Sequence, residues 1–599
     1  DVAAAYDAIG KQFGLERFAE VDLGPDYARI EEIHTMLRAA FETLSSRELR
    51  SAYDAELERR ARPSKAALDA DLLAQKATEK LADGDADAAT DLLERAVEAA
   101  PDQADYHALL GWAIFHNEGA NAAAAPAAWR HLNSAFEIDA DHTSAHEYAG
   151  RIAAAAGDDE RAIDHLTRAL EHDPARAEAL TTLEAACARR GEHKRLERQY
   201  RKLIHRLGDA RDPERALRLW WRLAELYRTR LDDKQSAKVA YEIAAKLAPD
   251  DPRPREALAR LYAENPQTWR EAAHALRDSW RLQPQDAEPG RALFKLHLDG
   301  ERWDAAFAVA AALGVRGVPD EDAAQFLRRH RPPFLARAQQ AVKGGLPIAD
   351  LVRHPDDDRD LSDLFARIFV VWQPTFGWDL LGVGPDDLID PSMLPAPFSR
   401  VLGYVAAQLG VAVPPVYRRG DFTTGPHVGA ARPPILLSGP QSLALADYPA
   451  LAFRLGRALT FLLPGRAVAG ALPSRQLKQT VLAAMTLVQS SLRVDDPDGE
   501  IRAIRTALAS AAPQLGRELG PACERIVAGA QATLNLGRYA RGLLRTADRV
   551  GLLLCNDLST AVQIVVATGA PGAENDLIDF ALSDEYLAAR EALGLSICV

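Results

Sequence analysis

Cysteine is scarce and scattered in this chain. The four present, Cys187, Cys523, Cys555 and Cys598, lie far apart with no CxxC spacing, so neither a disulfide framework nor a cysteine zinc site is expected. A reducing compartment is the simpler setting. Positive charge is also in the minority. Against 86 Asp and Glu stand 72 Lys and Arg, a formal net charge of −14, which argues against the basic footprint of a nucleic-acid binder. The one basic cluster, Arg328, Arg329, His330 and Arg331, precedes Pro332 and Pro333 and reads as a helix end. No run reaches the roughly 18 to 20 consecutive apolar residues that span a bilayer. The P-loop, the GxGxxG fingerprint and the G-x-S-x-G elbow are missing as well. The sequence opens at Asp1, which leaves a signal peptide upstream an open question.

What the chain does have is a repeat between about residues 70 and 310. One copy carries His146, Ala149, Gly150 and Ala153, then Ala162, Leu166, Ala169 and Pro174. A second carries Trp220, Leu223, Ala224 and Tyr227, then Ala237, Tyr241, Ala244 and Pro249; a third runs from Leu258 through Tyr262, Ala272 and Leu276 to Pro284. Small residues at fixed places let two antiparallel helices approach closely, and bulky ones fill the holes between them. Pro249 and Pro284 stand 35 residues apart. The pattern resembles the tetratricopeptide (TPR) repeat, which has a period of about 34 residues and builds stacked helix pairs with an extended binding face. Roughly six or seven copies fit. His142 and His146 are four apart and followed by Glu147, but His146 sits on the seam, so packing is favoured over metal binding.

Residues 1–57 carry Ala5-Tyr6, Phe13, Ala40-Phe41, Leu44-Ser45, Arg50 and Tyr53-Asp54. The closing R-x-x-Y-D run is similar to the later helices of DnaJ-type J-domains. In that family a His-Pro-Asp loop stimulates DnaK-type chaperones. The aligned residues here are Gly14, Leu15 and Glu16, so the resemblance implies a degenerate module that docks or caps rather than a working cochaperone.

After Pro347 the repeat gives way to aromatic and β-branched runs at 368–372, 413–417 and 434–437, read as strands between Pro- and Gly-rich turns. Helices are expected at 443–463, 474–492 and 498–511, with a long pair over 518–567. The stretch from Val416 to Gly456, with Ala547-Asp548-Arg549-Val550-Gly551 downstream, resembles HtpX-like zinc endopeptidases. In that family the first region leads into a helix bearing HExxH, whose two histidines share a helix face, and the second follows a glutamate that completes the zinc site. The five HExxH positions read Arg457, Ala458, Leu459, Thr460 and Phe461, and the third-ligand position is Leu544. Every ligand and the base are replaced, so the resemblance implies a pseudoenzyme without zinc. The acidic runs 356–360 and 495–500 lack EF-hand spacing and read as solvated turns and helix caps.

The expected fold is mostly α: a TPR-type α-solenoid followed by an α+β, degenerate metallopeptidase-like domain. Residues 1–60 form the J-like hairpin, 68–315 the repeats, 316–345 a linker with capping helices and 346–599 the last domain. The expected role is that of a bacterial, cytoplasmic, non-catalytic scaffold with no cofactor and no metal. It would bind another protein along the repeat face through Glu147, Arg151, Trp221, Glu225, Arg228, Glu256 and Arg260. The alternatives are a hydrolase acting through the C-terminal domain and a DnaK-type cochaperone.

Overall fold

The structure is a computed structural model that describes residues 2–13, 26–61, 65–208, 212–331, 349–372, 381–420, 425–529 and 535–597. It divides into two compact units, residues 1–240 and 241–599. The first opens with α1 (Val2–Phe13), α2 (Asp26–Ser45) and α3 (Arg47–Ala61). Tyr6 on α1 stacks on Phe41 of α2 with ring centroids 4.3 Å apart. Gly14, Leu15 and Glu16 lie outside the described residues.

From residue 65 the helices alternate along the sequence in seven pairs: α4 (Lys65–Ala82) with α5 (Ala86–Ala99), α6 (Ala104–Asn117) with α7 (Ala125–Ile138), α8 (Thr143–Ala155) with α9 (Asp159–His172), α10 (Ala177–Arg190) with α11 (His193–Leu207), α12 (Pro213–Leu226) with α13 (Lys234–Leu247), α14 (Arg253–Ala263) with α15 (Trp269–Leu282), and α16 (Ala287–Asp299) with α17 (Trp303–Val315). This is the TPR-type arrangement. Some of the second helices begin with a side-chain cap. Asp85 and Asp158, for example, accept hydrogen bonds from Ala88 N and Arg161 N, satisfying free N–H groups of the first turn. Gly157, at φ +82, makes the tight turn into α9.

The seam is as tight as the sequence implies. A Cβ placed on Gly150 would stand 2.5 Å from Leu166 Cγ, and one on Gly111 would stand 2.9 Å from the Ala128 carbonyl oxygen. Ala149, Ala162, Leu166 and Ala169 are fully buried around that crossing. The first helices α4, α6, α8 and α10 also pack side by side, which builds one continuous face from successive pairs.

His146 and His142 are both committed to structure. His142 caps α8: its Nδ1 accepts from Ala145 N at 3.1 Å, which leaves Nε2–H to donate to Asp105 at 2.9 Å. His146 Nε2 donates to the Ala140 carbonyl at 3.0 Å, so its Nδ1 is the acceptor for His165 Nδ1–H at 2.9 Å. Phe136 and Trp129 pack on the His165 ring.

The second unit holds α14 to α17, then α18 (Glu321–His330), where the basic cluster forms a helix end as expected. Its core runs without a break from Leu276, Trp280 and Leu313 to Leu364, Phe453 and Leu593. The C-terminal part is α+β with a small sheet. In order β1-β3-β2, β1 (Val416–Arg418) runs parallel to the fully buried β3 (Ile435–Ser438), and β2 (His427–Gly429) runs antiparallel at the edge.

Two sequence expectations are corrected here. The run 368–372 is not a strand; it ends a helix, Arg359–Val371. Its buried residues Leu361, Leu364, Phe365, Ile368 and Phe369 recur at helical spacing, and that periodicity outweighs the β-branched composition of the last turn. The long pair expected over 518–567 is three helices, Leu515–Gly529, Leu536–Cys555 and Leu558–Ala567.

The histidine pair gives a pH test. Burial, then His146 and Arg168, holds His165 down at about 4, and burial also lowers His146 against the opposing pull of the Ala140 carbonyl. Asp164, Arg161, Asp141 and His172 add smaller effects. The unfolded chain therefore takes up protons that the folded pair refuses, and stability falls as pH drops from about 6.5 toward 4. Amides of α8 and α9 should lose up to roughly tenfold in hydrogen-exchange protection per pH unit in that window. His165→Leu should flatten the loss, and an equally steep loss in that variant would contradict the assignment.

Candidate functional site

Two places gather the residues singled out from the sequence. The first is the face made by the first helices of unit 1. Trp112 of α6 stacks on Tyr148 of α8 at 5.0 Å and 14°. The Arg151 guanidinium lies 4.5 Å above the Trp112 ring, a cation–π contact. One turn along, Glu147 is buried and accepts a charge-assisted hydrogen bond from Arg176, which also donates to Ser144 at 3.1 Å. Arg151 Nη1 stands 3.7 Å from the other Glu147 oxygen.

The result is a strip of flat rings and oriented charges held by pairs that cross from one repeat to the next. Burial, then Arg151, pushes His116 below its usual value, and its ring meets Trp112 edge-on at 4.4 Å. Further along unit 1, Trp221 is half-buried on α12, and Glu225 pairs with the exposed Arg228 at 2.6 Å. Glu256 and Arg260 belong to unit 2, where they line a groove of about 390 Å³ with Leu276, Pro289 and Lys295. There Glu256 accepts from Ser279 Oγ at 3.1 Å.

Trp112 and Tyr148 were not among the sequence candidates. Both sit on first helices near the seam glycines Gly111 and Gly150. Trp112 lies in a repeat of irregular spacing, whereas Tyr148 lies in the regular α8–α9 copy and shows its role only through contact with Trp112.

The second place is the crossing of helices Tyr448–Leu459 and Leu536–Cys555. Gly456 and Gly551 meet there almost backbone to backbone: a Cβ on Gly456 would lie 3.2 Å from Gly551 Cα, and one on Gly551 would lie 2.8 Å from the Phe453 carbonyl oxygen. Beside that crossing, Arg457 Nε is 2.7 Å from Oδ1 of Asp548, which is 1% exposed. The pair is ionic, but its angle gives Oδ1 no straight hydrogen bond. Arg545 Nη1 stands 3.9 Å from Oδ2. Burial raises the Asp548 carboxyl to about 6 against the opposing pull of Arg457 and Arg545.

Ala458 and Phe461 are buried in the core, while the Leu544 side chain is 45% exposed. Among the described residues no group of three or more His, Cys, Asp and Glu is placed to hold a metal ion.

A polar network nearby corrects one more expectation. Asp357, read as part of a solvated run, is 1% exposed and accepts from Arg466 at 2.8 Å, Thr546 at 2.7 Å and Ser362 at 3.0 Å. Asp358 does cap a helix, accepting from Leu361 N at 2.9 Å. The acidic run thus splits between a surface cap and a buried anchor, which its composition alone does not distinguish.

No family model and no curated protein matches this chain. Solved structures similar to it include PilF of Pseudomonas aeruginosa, 19% identical over 39% of this chain and 100% of that one, with a TM-score of 0.26. Yeast Tom70 is 17% identical over 52% of this chain and 65% of its own, at 0.24. A TPR domain of yeast Sti1 solved with an Hsp90 partner is 17% identical over 43% and 97%, at 0.20. At such identities and scores these likenesses assign no activity or partner to this chain.

The ion pair beside the glycine crossing supplies a stability test. Arg457→Met should cost about 3–5 kcal/mol, because it strands a buried carboxylate. Adding Asp548→Leu should restore most of that loss, since an apolar pair of similar size needs no partner. Urea unfolding curves that place the double variant no higher than the single one would contradict the pairing.

Proposed function

We propose that this chain is a non-catalytic protein–protein interaction scaffold that holds a helix or extended peptide of a partner along the first-helix face. The observation that carries the reading is the strip Trp112–Tyr148–Arg151–Glu147–Arg176. Flat aromatic area is held in place by cross-repeat charge pairs, so little side-chain entropy remains to be lost on binding, and aromatic and Arg residues dominate interface energetics. Trp221, Glu225 and Arg228 extend the candidate surface in the same unit.

On this reading the C-terminal α+β region is a pseudo-peptidase scaffold. Arg457, at the position where the resemblance would put the first imidazole, forms an ion pair with Asp548. The segment α1 to α3 is a degenerate J-like module. The stack of Tyr6 on Phe41 across α1 and α2 supports a hairpin, and Gly14-Leu15-Glu16 provides none of the chemistry of His-Pro-Asp.

Peptides selected from a displayed random library against the full chain test the face. Trp112→Ala and Arg151→Ala should each weaken the selected peptides by roughly tenfold or more, since anchor residues commonly contribute about 2 kcal/mol, while circular dichroism shows both variants still folded at the assay temperature. Peptides that bind both variants as tightly as the parent would remove the face from consideration.

Metal analysis tests the pseudo-peptidase part. Arg457, Ala458, Phe461 and Leu544 offer no zinc ligand, so purified chain should carry well under one zinc, and its melting should ignore chelators. One tightly held zinc per chain would refute it.

A further inference from the structure

The chain carries a second candidate binding place that neither the repeat face nor the peptidase resemblance accounts for. It is an open pocket of about 650 Å³ in unit 2, lined by α15, the end of α16, the start of α17 and the chain from Ala581 to Ile597. That volume is in the range of small-molecule sites. Its floor is apolar, with Leu293, Ala305 and Val309 all buried. Its lining carries three arginines, Arg270, Arg277 and Arg302, and four carboxylates, Glu301, Asp304, Asp584 and Glu591.

Arg270 and Arg302 both reach over the same indole, with guanidinium carbons 4.8 and 4.1 Å from the Trp269 ring centroid. Among the described residues no carboxylate oxygen comes within ion-pair distance of either one. Arg302 spends two donors locally: Nε on His297 Nδ1 at 3.2 Å and Nη2 on the Leu296 carbonyl. His297 is therefore a neutral acceptor, and burial, then Arg302, holds it down at about 4. Burial and the neighbouring Arg270 also weaken Arg302 as a base.

Most of the other polar groups of the wall are already paired. Arg277 donates to the Leu582 carbonyl at 2.8 Å and contacts His274, whose Nε2 is 3.3 Å from Asp584. Asp304 is taken by Arg590 and by Ile597 N, and Glu301 and Glu591 are exposed. Arg270 and the half-buried Arg302 thus face the cavity with no carboxylate in ion-pair contact, while the exposed Glu301 and Glu591 stand elsewhere on the same wall.

We infer that this cavity is a binding site for a small organic anion, with a carboxylate or phosphate held by Arg270 and Arg302 and an apolar body resting on Trp269 and the Leu293–Val309 floor. A guanidinium pair on an indole suits that class, because Arg presents planar paired donors to carboxylate and phosphate oxygens while its face stays stacked. The inference is independent of the scaffold reading, since it uses none of the residues of the first-helix face.

Calorimetric titration of the full chain with hexyl phosphate, hexanoate, inorganic phosphate and hexanol tests it, with Trp fluorescence as a second readout for contact at Trp269. The expected result is saturable binding of hexyl phosphate or hexanoate at one per chain, weaker binding of inorganic phosphate and none of hexanol. Which of the two anions binds more tightly separates a phosphate site from a carboxylate site. Arg270→Gln removes an exposed side chain with no hydrogen bond in the described structure, so the variant should fold and lose roughly tenfold or more in affinity, the measure of one charge-assisted contact. Arg329→Gln, an exposed arginine on α18, should change nothing. The proposal is overturned if no probe saturates, if hexanol binds as well as hexyl phosphate, if inorganic phosphate alone binds as tightly, or if Arg270→Gln binds like the parent.

Discussion

Everything in this molecule depends on helices that cross at nearly backbone contact. Leu166 enters the space that a side chain on residue 150 would occupy, and the same constraint returns in the other unit where Gly456 meets Gly551. At such crossings the Cβ is a steric object, and adding one in a close-packed interior forces a shift with a cost of about 1–3 kcal/mol. The small residues are therefore geometric requirements. They set the spacing within each helix pair of unit 1, while the first helices of consecutive pairs pack side by side with Trp112 and Tyr148 in stacking distance.

A surface made this way has a particular chemistry. Its aromatic groups are supported from one side by the seam and fixed from the other by Arg151, Glu147 and Arg176. The charges do not simply solvate the repeat; they link one helix pair to the next and orient the rings. The C-terminal region uses charge differently. Asp357 is surrounded by donors and acts as an anchor, whereas Asp548 keeps a raised affinity for protons even with two arginines near it. A buried carboxylate with only partial compensation makes the pair a weak contributor to stability, yet a costly one to break.

Much of the fold was legible in the sequence because the repeat is a local signal. Gly150, Leu166, Ala169 and Pro174 lie within one helix pair, and the spacing of such sets gives the pairs directly. Misreadings occurred where local composition and tertiary packing disagree. The run 368–372 has the residues of a strand but the burial period of a helix that begins at Arg359. Asp357 has the sequence context of a surface turn, and only contact with Arg466, more than a hundred residues away, makes it an anchor. The site was legible in part. Arg151 and Glu147 were found beside the seam residues of a regular copy, while Trp112 lies in a less regular copy and Tyr148 shows its role only through contact with that ring. The cavity beside Trp269 could not be read at all, since its wall joins residues near 270 and 300 to residues near 584 and 597.

The central claim is that the face built by the first helices is the working surface of unit 1. Site-specific photo-crosslinking in the native cell tests it most directly, with the photoreactive residue placed at the exposed position 155, one turn beyond Arg151 on α8, or, for comparison, at the exposed position 168 on α9. The account predicts a discrete protein adduct from position 155, lost on Trp112→Ala, and none from position 168. Adducts from position 168 alone, or none from 155 while the C-terminal region crosslinks efficiently, would contradict it.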